Sequence, residues 1–174
     1  MLHGSGSEGA DIAAYLARTN PRVWLNPPFI RPGGGMALTL PLLGRWLLPN
    51  IVGQEPSLQA GLLAHEAMHL IQGDRFGRGT TSQADEVQAY QVQGRILSLL
   101  GRGEGFTWSE AVVQRYTPTQ AEALALLRRT WPVYTAWPVE RPRGLLRALA
   151  ASARQTLGAL GYGIGVWRAA RRQG

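Results

Sequence analysis

The chain has 174 residues, of which 45% are hydrophobic, and it carries a formal net charge of +7 with no cysteine. This length is enough for one globular domain with a core, and the missing cysteine excludes disulfides, iron–sulfur clusters, thiolate zinc sites and a cysteine nucleophile. All 18 basic residues are arginine, and they are unevenly placed, since residues 1–122 have a net charge of −1 and residues 123–174 a net charge of +8. The basic character therefore belongs to the C-terminal part, and we do not expect the rest of the chain to bind nucleic acid.

The first third of the chain predicts one short helix and a small sheet. A helical pattern runs from about Ala10 to Arg18 and is ended by Asn20 and Pro21. Runs rich in β-branched, aromatic and aliphatic residues then predict three strands, Arg22–Asn26, Met36–Leu40 and Arg45–Leu48. Three successive glycines, Gly33–Gly35, predict a flexible turn between the first two. Pro41 and Pro49 place the later strands at edges or ends of the sheet.

The middle of the chain predicts long helices. Pro56 suits a first helical position, so a helix is expected from there to about Gln72, with Gly73 as its C-terminal cap. The spacing of Ser82 and Asp85 is that of a capping box, which predicts a second helix to about Leu100, broken at Gly101. A further capping box at Thr107–Glu110 and a helix from about Thr117 to Trp131 follow.

The C-terminal part predicts a connecting segment and an amphipathic helix. Residues 131–143 contain three prolines and are interpreted as a linker or a surface strap, and residues 144–172 have helical periodicity. One face of that helix is apolar, with Leu145, Leu149, Ala153, Leu157, Leu160, Ile164 and Trp167, and arginines lie opposite. This pattern suits either a helix that lies on an anionic membrane surface or a helix that packs on the body.

The segment His65-Glu66-Ala67-Met68-His69 suggests a chemical function more directly than any other part of the sequence. Two histidines four residues apart lie on one helical face, so both imidazoles can reach one zinc ion. Glu66 can then take a proton from a water held by the metal. The alternative is a pair of buried histidines satisfied by other partners, but that leaves the buried charge of Glu66 unexplained. Because His3 is the only other histidine, at least one further ligand should be a carboxylate.

The extended pattern from Leu63 to Ile71 resembles the active-site helix of the zincin metallopeptidases. The metzincin branch is rejected, because Gln72 and Arg75 stand where it has a glycine and a third histidine. The gluzincin branch takes its third ligand from a glutamate on the next helix, and Asp85–Tyr90 resembles that second motif, with small Ala89 three residues after Glu86. The similarity extends to small bacterial gluzincins of the ImmA/IrrE type and covers about Pro56 to Leu100.

Two neighbouring carboxylates compete for the role of third ligand. Glu86 begins a stripe that faces the core, formed with Ala89, Tyr90, Ile96, Leu97 and Leu100. Asp85 fits the capping role better, because an acidic residue at the third helical position bonds the N-cap amide. The resemblance thus implies zinc on His65, His69 and Glu86, with Asp85 as the alternative ligand.

These observations predict an α+β, zincin-like fold: a small sheet with an edge strand beside a helical core, plus the C-terminal amphipathic helix. The expected domains are a metallopeptidase domain at 1–130, a proline-rich linker at 131–143 and a basic helix at 144–174. The expected function is zinc-dependent peptide hydrolysis with Glu66 as general base. The alternative is a zincin-like module that binds zinc as a sensor or interaction domain. No secretory signal is visible at the start, so a cytoplasmic location is expected, and membrane association through the basic helix stays an open alternative.

Overall fold

The computed structural model describes residues 6–30, 33–35, 37–40, 44–76, 81–101 and 120–143, together with positions 146, 147, 149–151, 153–155 and 157. Its helices are α1 (Gly6–Thr19), α2 (Pro56–Phe76), α3 (Gln83–Leu99) and α4 (Gln120–Thr130), followed by a 3-10 helix at Pro132–Ala136. Its strands are β1 (Arg22–Val23), β2 (Ala37–Leu40) and β3 (Gly44–Leu47). The chain is therefore α+β, as predicted.

The chain divides into two compact units. The first contains Met1–Arg78 and Glu86–Pro118, and the second contains Gly79–Asp85 and Thr119–Gly174. Helix α3 contributes its first three residues to the second unit and the rest to the first. The predicted division at residues 130 and 143 stays a prediction.

The sheet of the first unit has the order β1-β3-β2 and mixes both strand directions. β3 is central, pairing in parallel with β1 and in antiparallel fashion with β2. The segment after β1 continues alongside β3, since the Trp24 amide donates to the Leu47 carbonyl and the Asn26 amide to the Pro49 carbonyl. The predicted strand Arg22–Asn26 is thus regular only at its start, and it ends at Asn26, whose positive φ of 54° belongs to the left-handed region. Among the described strands, β2 lies at an edge of the sheet, and it packs against α2.

The main core of the first unit forms where α1, α2 and α3 meet. Small residues line the buried side of α2, and they pack against Ile12 of α1 and against Val92 and Ile96 of α3. Close approach is required at Gly61, where a Cβ atom would lie 2.9 Å from two side-chain carbons of Leu97. The small residues on α2 therefore allow the two helices to approach closely, and this closeness lets side chains of α3 reach those of α2.

Helix α2 is longer than its sequence pattern indicates. The prediction that it ends near Gln72 with Gly73 as its cap is wrong, because the helix continues through Gly73 to Phe76. The extra turn contains Asp74, whose carboxylate accepts a hydrogen bond of 2.9 Å from the Tyr15 hydroxyl and a bidentate pair from Arg45 with a closest N–O distance of 2.8 Å. Glycine costs a helix only about 1 kcal/mol relative to alanine and does not by itself end one, and the added turn contains a residue with tertiary contacts that the local sequence pattern does not show. The break at Gly101 is confirmed, with a positive φ of 74° there.

The second unit is organised around the start of α3. The amides of Gln83 and Ala84 donate to the carbonyl oxygens of Pro138 and Val139, at 2.9 and 3.0 Å. The Gln83 side chain bonds the Trp137 carbonyl and accepts from Arg128 of α4 at 2.7 Å. The segment predicted as a linker or strap is therefore a strap here, because its carbonyl groups satisfy amides that a helix N-terminus leaves without intrahelical partners.

The C-terminal helical pattern is only partly described. Helical backbone is present at the described positions between 146 and 157, and Leu149 and Leu157 of the predicted apolar face are 58% and 69% exposed. The rest of that face and the predicted capping box at Thr107–Glu110 lie outside the described residues. Across the part of the chain that is described, no helix combines the length and apolar character needed to cross a bilayer.

Candidate metal centre

The two motif histidines lie side by side on the inner face of α2. Their spacing of four residues puts their rings one turn apart, with centroids separated by 4.9 Å. The Nε2 atoms face each other at 3.2 Å. His65 is buried and His69 is nearly so. Two imidazoles therefore present the same ring nitrogen to one point.

Glu86 completes a three-residue group at that point. Its Oε1 lies 3.3 Å from Nε2 of His69, and its Oε2 lies 3.5 Å from Nε2 of His65. Among the described residues, these three form the group of potential metal-ligating side chains whose donor atoms all lie within 4.8 Å of one another. The structure thus brings together all three residues that the sequence predicts as ligands.

The spacing of the donor atoms fits one small divalent ion. Ligand atoms about 2.0–2.1 Å from a tetrahedral zinc ion lie roughly 3.3–3.4 Å from one another. The two Nε2 atoms lie 3.2 Å apart, Oε1 of Glu86 lies 3.3 Å from Nε2 of His69, and the other carboxylate oxygen, Oε2, lies 3.5 Å from Nε2 of His65, so each pair taken separately is close to that value. Two imidazole nitrogens and one carboxylate oxygen are a donor set that suits zinc and other divalent transition metals. The three side chains are therefore close enough together to hold one metal ion, and their spacing does not identify which metal.

Asp85 has a different place. Its Oδ2 accepts hydrogen bonds of 2.8 Å from the Ser82 amide and from the Ser82 hydroxyl, and the Asp85 amide in turn donates to that hydroxyl. Arg141 also donates to Oδ2, at 2.8 Å. This is the predicted capping box with an added ion pair. Of the two carboxylates left open by the sequence, the one gathered with the histidines is therefore Glu86.

Glu66 is buried beside the group but does not belong to it. Only 4% of its surface is exposed, and the backbone of Gly35 lies directly against its side chain. A Cβ atom at position 35 would lie 2.7 Å from Oε1 of Glu66 and 2.8 Å from its Cγ. Any side chain at position 35 would therefore displace the Glu66 carboxylate or the strand.

The buried charges shift one another's pKa values. Burial lowers the pKa of His69, but the charges of Glu86 and Glu66 and the hydrogen bonds to Glu86 and Gln72 together outweigh burial and raise the pKa to about 9. Burial alone would raise the pKa of Glu86, yet the neighbouring imidazoles hold it far below its usual range. For Glu66, burial dominates and raises the pKa, with the two histidines opposing and Glu86 reinforcing the effect. Glu66 is therefore a stronger base than a carboxylate in water.

Three residues near this group were not singled out by the sequence. Gln72 and Gln88 form a hydrogen-bonded chain that starts at His69, and Gly35 covers Glu66. The one available signal was that Gln72 follows His69 by three positions, which puts it on the same helical face. Tyr90, which the sequence favoured as a core residue, packs its ring edge-on against His65 with centroids 4.3 Å apart. His3 lies outside the described residues.

Comparisons with protein-family models, with curated proteins and with solved structures give no match for this chain.

Proposed function

We propose that this chain is a zinc-dependent peptidase of the gluzincin type with a zincin-like fold, in which His65, His69 and Glu86 hold the metal and Glu66 is the general base. The observation that carries this proposal is a pair of imidazole nitrogens 3.2 Å apart, each within 3.5 Å of an oxygen of Glu86, next to the buried Glu66 on the same helix as the histidines. Three protein ligands that leave a fourth position open are typical of catalytic zinc sites.

Each residue has a distinct part in this proposal. When bound, zinc would supply Lewis-acid chemistry, lowering the pKa of a coordinated water and polarising a carbonyl oxygen. Glu66 accepts the proton of the attacking water and afterwards gives it to the departing amine. Its burial raises its pKa, which makes it a stronger base than an exposed carboxylate.

The substrate proposed here is an extended peptide. Among the described strands, β2 pairs with β3 alone, so its other side carries no described strand, and β2 packs on α2. Extended peptides bind such edges through backbone hydrogen bonds. Residues just before β2 lead to Gly35, which touches the carboxylate of Glu66. A peptide that paired along this edge would therefore pass close to the proposed base.

One observation favours a second function, a module that binds zinc without much hydrolysis. His65, Glu66 and Glu86 are each less than 7% exposed, and Gly35 packs tightly on Glu66. A site so enclosed holds a metal well, but a substrate must displace part of the covering chain to reach it. In this second function the zinc stabilises a sensor or interaction domain.

The experiment measures zinc content and hydrolysis of a mixed peptide library by the full chain and by its Glu66→Gln variant. We expect about one zinc per chain in both, and a loss of hydrolysis on the order of 10²–10⁴-fold in the variant, because the amide cannot accept a proton. The control is Glu122→Gln, an exposed glutamate of α4, which should change neither quantity. Zinc without hydrolysis in the natural chain would establish the second function, and a natural chain without zinc would overturn both.

A further inference from the structure

A chain of two glutamine side chains leads away from the back of His69. Nδ1 of His69 lies 3.1 Å from Oε1 of Gln72, and Nε2 of Gln72 donates a 3.0 Å hydrogen bond to Oε1 of Gln88. Gln72 is 1% exposed, whereas Gln88 is on the exposed side of α3. His69 is thus hydrogen-bonded on the side of the ring that faces away from the candidate metal centre.

The direction of this chain determines where the proton of His69 lies. A carboxamide has one accepting end and one donating end. Because the donating end of Gln72 is directed at Gln88, its accepting end is directed at His69. Oxygen accepts only from a protonated nitrogen, so Nδ1 of His69 must carry a hydrogen. In the neutral ring, the lone pair then lies on Nε2, the atom that faces His65 and Glu86.

We infer that Gln72, itself oriented by Gln88, is a positioning residue that fixes the Nδ1–H tautomer of His69 and thereby makes Nε2 the metal-binding atom. The inference rests on the proposed metal site and deepens it. Hydrogen bonds of this kind to the far nitrogen of a ligating histidine hold the ring orientation and increase the basicity of the ligand. Gln72 acts through His69 and has no contact with substrate in this role.

The other histidine provides an internal contrast. Nδ1 of His65 is buried and has no hydrogen-bond partner among the described residues. Its ring is positioned instead by contacts with Tyr90 and His69, with centroid distances of 4.3 and 4.9 Å. The two ligands are therefore held differently: His69 by a directed hydrogen bond and His65 by packing. A change that breaks the glutamine chain should affect the tautomer of His69 alone.

The test measures zinc affinity in four full-length variants by competition with a chelator. Gln72→Leu keeps the size of the side chain but cannot accept a hydrogen bond, and we expect zinc affinity to fall about 10- to 100-fold. Gln72→Glu still accepts from Nδ1–H, so its affinity should equal that of the natural chain or exceed it. Gln88→Leu frees the Gln72 amide to rotate and should cause a smaller loss. Gln59→Leu is the matched control, a half-buried glutamine of α2 that bonds the Gln54 carbonyl, and it should leave zinc affinity unchanged.

A second measurement does not depend on the metal. Nitrogen NMR of the metal-free chain, recorded at alkaline pH where the His69 ring is neutral, should show a hydrogen on Nδ1 and none on Nε2 in the natural chain, and a mixture of the two tautomers in Gln72→Leu. A bare Nδ1 in the natural chain, or an unchanged zinc affinity in Gln72→Leu, would overturn the inference. If Gln72→Leu does not fold, the Gln72→Glu and Gln88→Leu affinities and the NMR of the natural chain decide.

These results separate this inference from the proposed function. A chain that binds zinc but hydrolyses no peptide refutes the peptidase, while the affinities of the variants still test Gln72. A chain that binds no zinc refutes the proposed metal site. The NMR measurement still shows where the proton of His69 lies, and it therefore still decides whether Gln72 fixes the tautomer or is an ordinary core residue.

Discussion

Asp85 and Glu86 are neighbours in the chain and are about equally buried, at 7% and 4% exposure, yet they are surrounded by different groups. Asp85 belongs to the second unit, where backbone and hydroxyl donors of Ser82 and the guanidinium of Arg141 satisfy one of its oxygens. Glu86 belongs to the first unit, where its two oxygens face two imidazoles. One step along a helix rotates a side chain by about 100°, and here this rotation separates a helix-capping carboxylate from one that faces two imidazoles.

Burial and charge alone therefore do not identify a functional carboxylate. A carboxylate bonded by an N-cap and an arginine stabilises a helix end. A buried carboxylate whose nearest partners are two imidazoles is instead a candidate for a functional role, because clusters of titratable groups with perturbed pKa values are concentrated at functional sites. The partners, rather than the residue itself, distinguish the two.

The largest expected effect is on metal binding by Glu86→Ala. Removing one of three protein ligands should weaken zinc affinity by more than the roughly 100-fold that loss of a supporting hydrogen bond causes at most. Chelator competition measures this. If zinc affinity survived Glu86→Ala and was lost in Asp85→Ala, the assignment of the two roles would be reversed.

The second-largest effect concerns Gly35, whose backbone packs against Glu66 beside the candidate metal centre. Gly35→Ala should lower the free energy of unfolding by about 1–3 kcal/mol, because the new Cβ atom overlaps Glu66. In a Glu66→Ala background, the same substitution should cost much less, since the overlapping atoms are gone. Denaturant unfolding of the four proteins gives the coupling. An equal cost in both backgrounds would show that the backbone of Gly35, and not its contact with Glu66, sets the requirement for glycine.

The third effect tests whether Asp85 serves only as the cap of α3. Asp85→Ala should cost about 0.5–2 kcal/mol of stability, the usual value of a helix cap, and leave zinc affinity within about twofold after correction for the unfolded fraction. Thermal unfolding and chelator competition on the same samples measure both. Ser82→Ala removes the other half of the capping box and should reproduce the pattern. A metal loss shared by both variants would mean that the cap also positions Glu86.

The smallest effect concerns exposed apolar side chains of the second unit. We propose that the basic C-terminal helix binds anionic membrane surfaces through the face that includes Leu149 and Leu157. Replacing both leucines by glutamine should lower binding to phosphatidylserine-containing vesicles about three- to tenfold, because each loses part of its transfer energy. Arginine attraction should persist and weaken with salt. If the natural chain fails to sediment with such vesicles even at low salt, the proposed contact is wrong.

Much of the candidate metal centre could be predicted from local sequence because its residues lie on two helices, where spacing along the chain determines which side chains share a face. The spacing of His65 and His69 fixes their common face, and the capping-box spacing of Ser82 and Asp85 separates Asp85 from Glu86. The helices α1 and α3 and the last two strands were predicted within a few residues for the same reason, since periodicity, proline and glycine act locally.

What only the tertiary structure decided depends on contacts between residues distant in sequence. The extra turn of α2 contains Asp74, which Tyr15 and Arg45 contact from other elements, and the parallel pairing of β1 with β3 joins segments more than twenty residues apart. The Gln72–Gln88 chain and the packing of Gly35 on Glu66 likewise arise only when separate elements meet. The sequence by itself therefore determined which side chains share a helical face, whereas folding determined what each face meets, because partner, burial and orientation are properties of pairs of elements and not of either one alone.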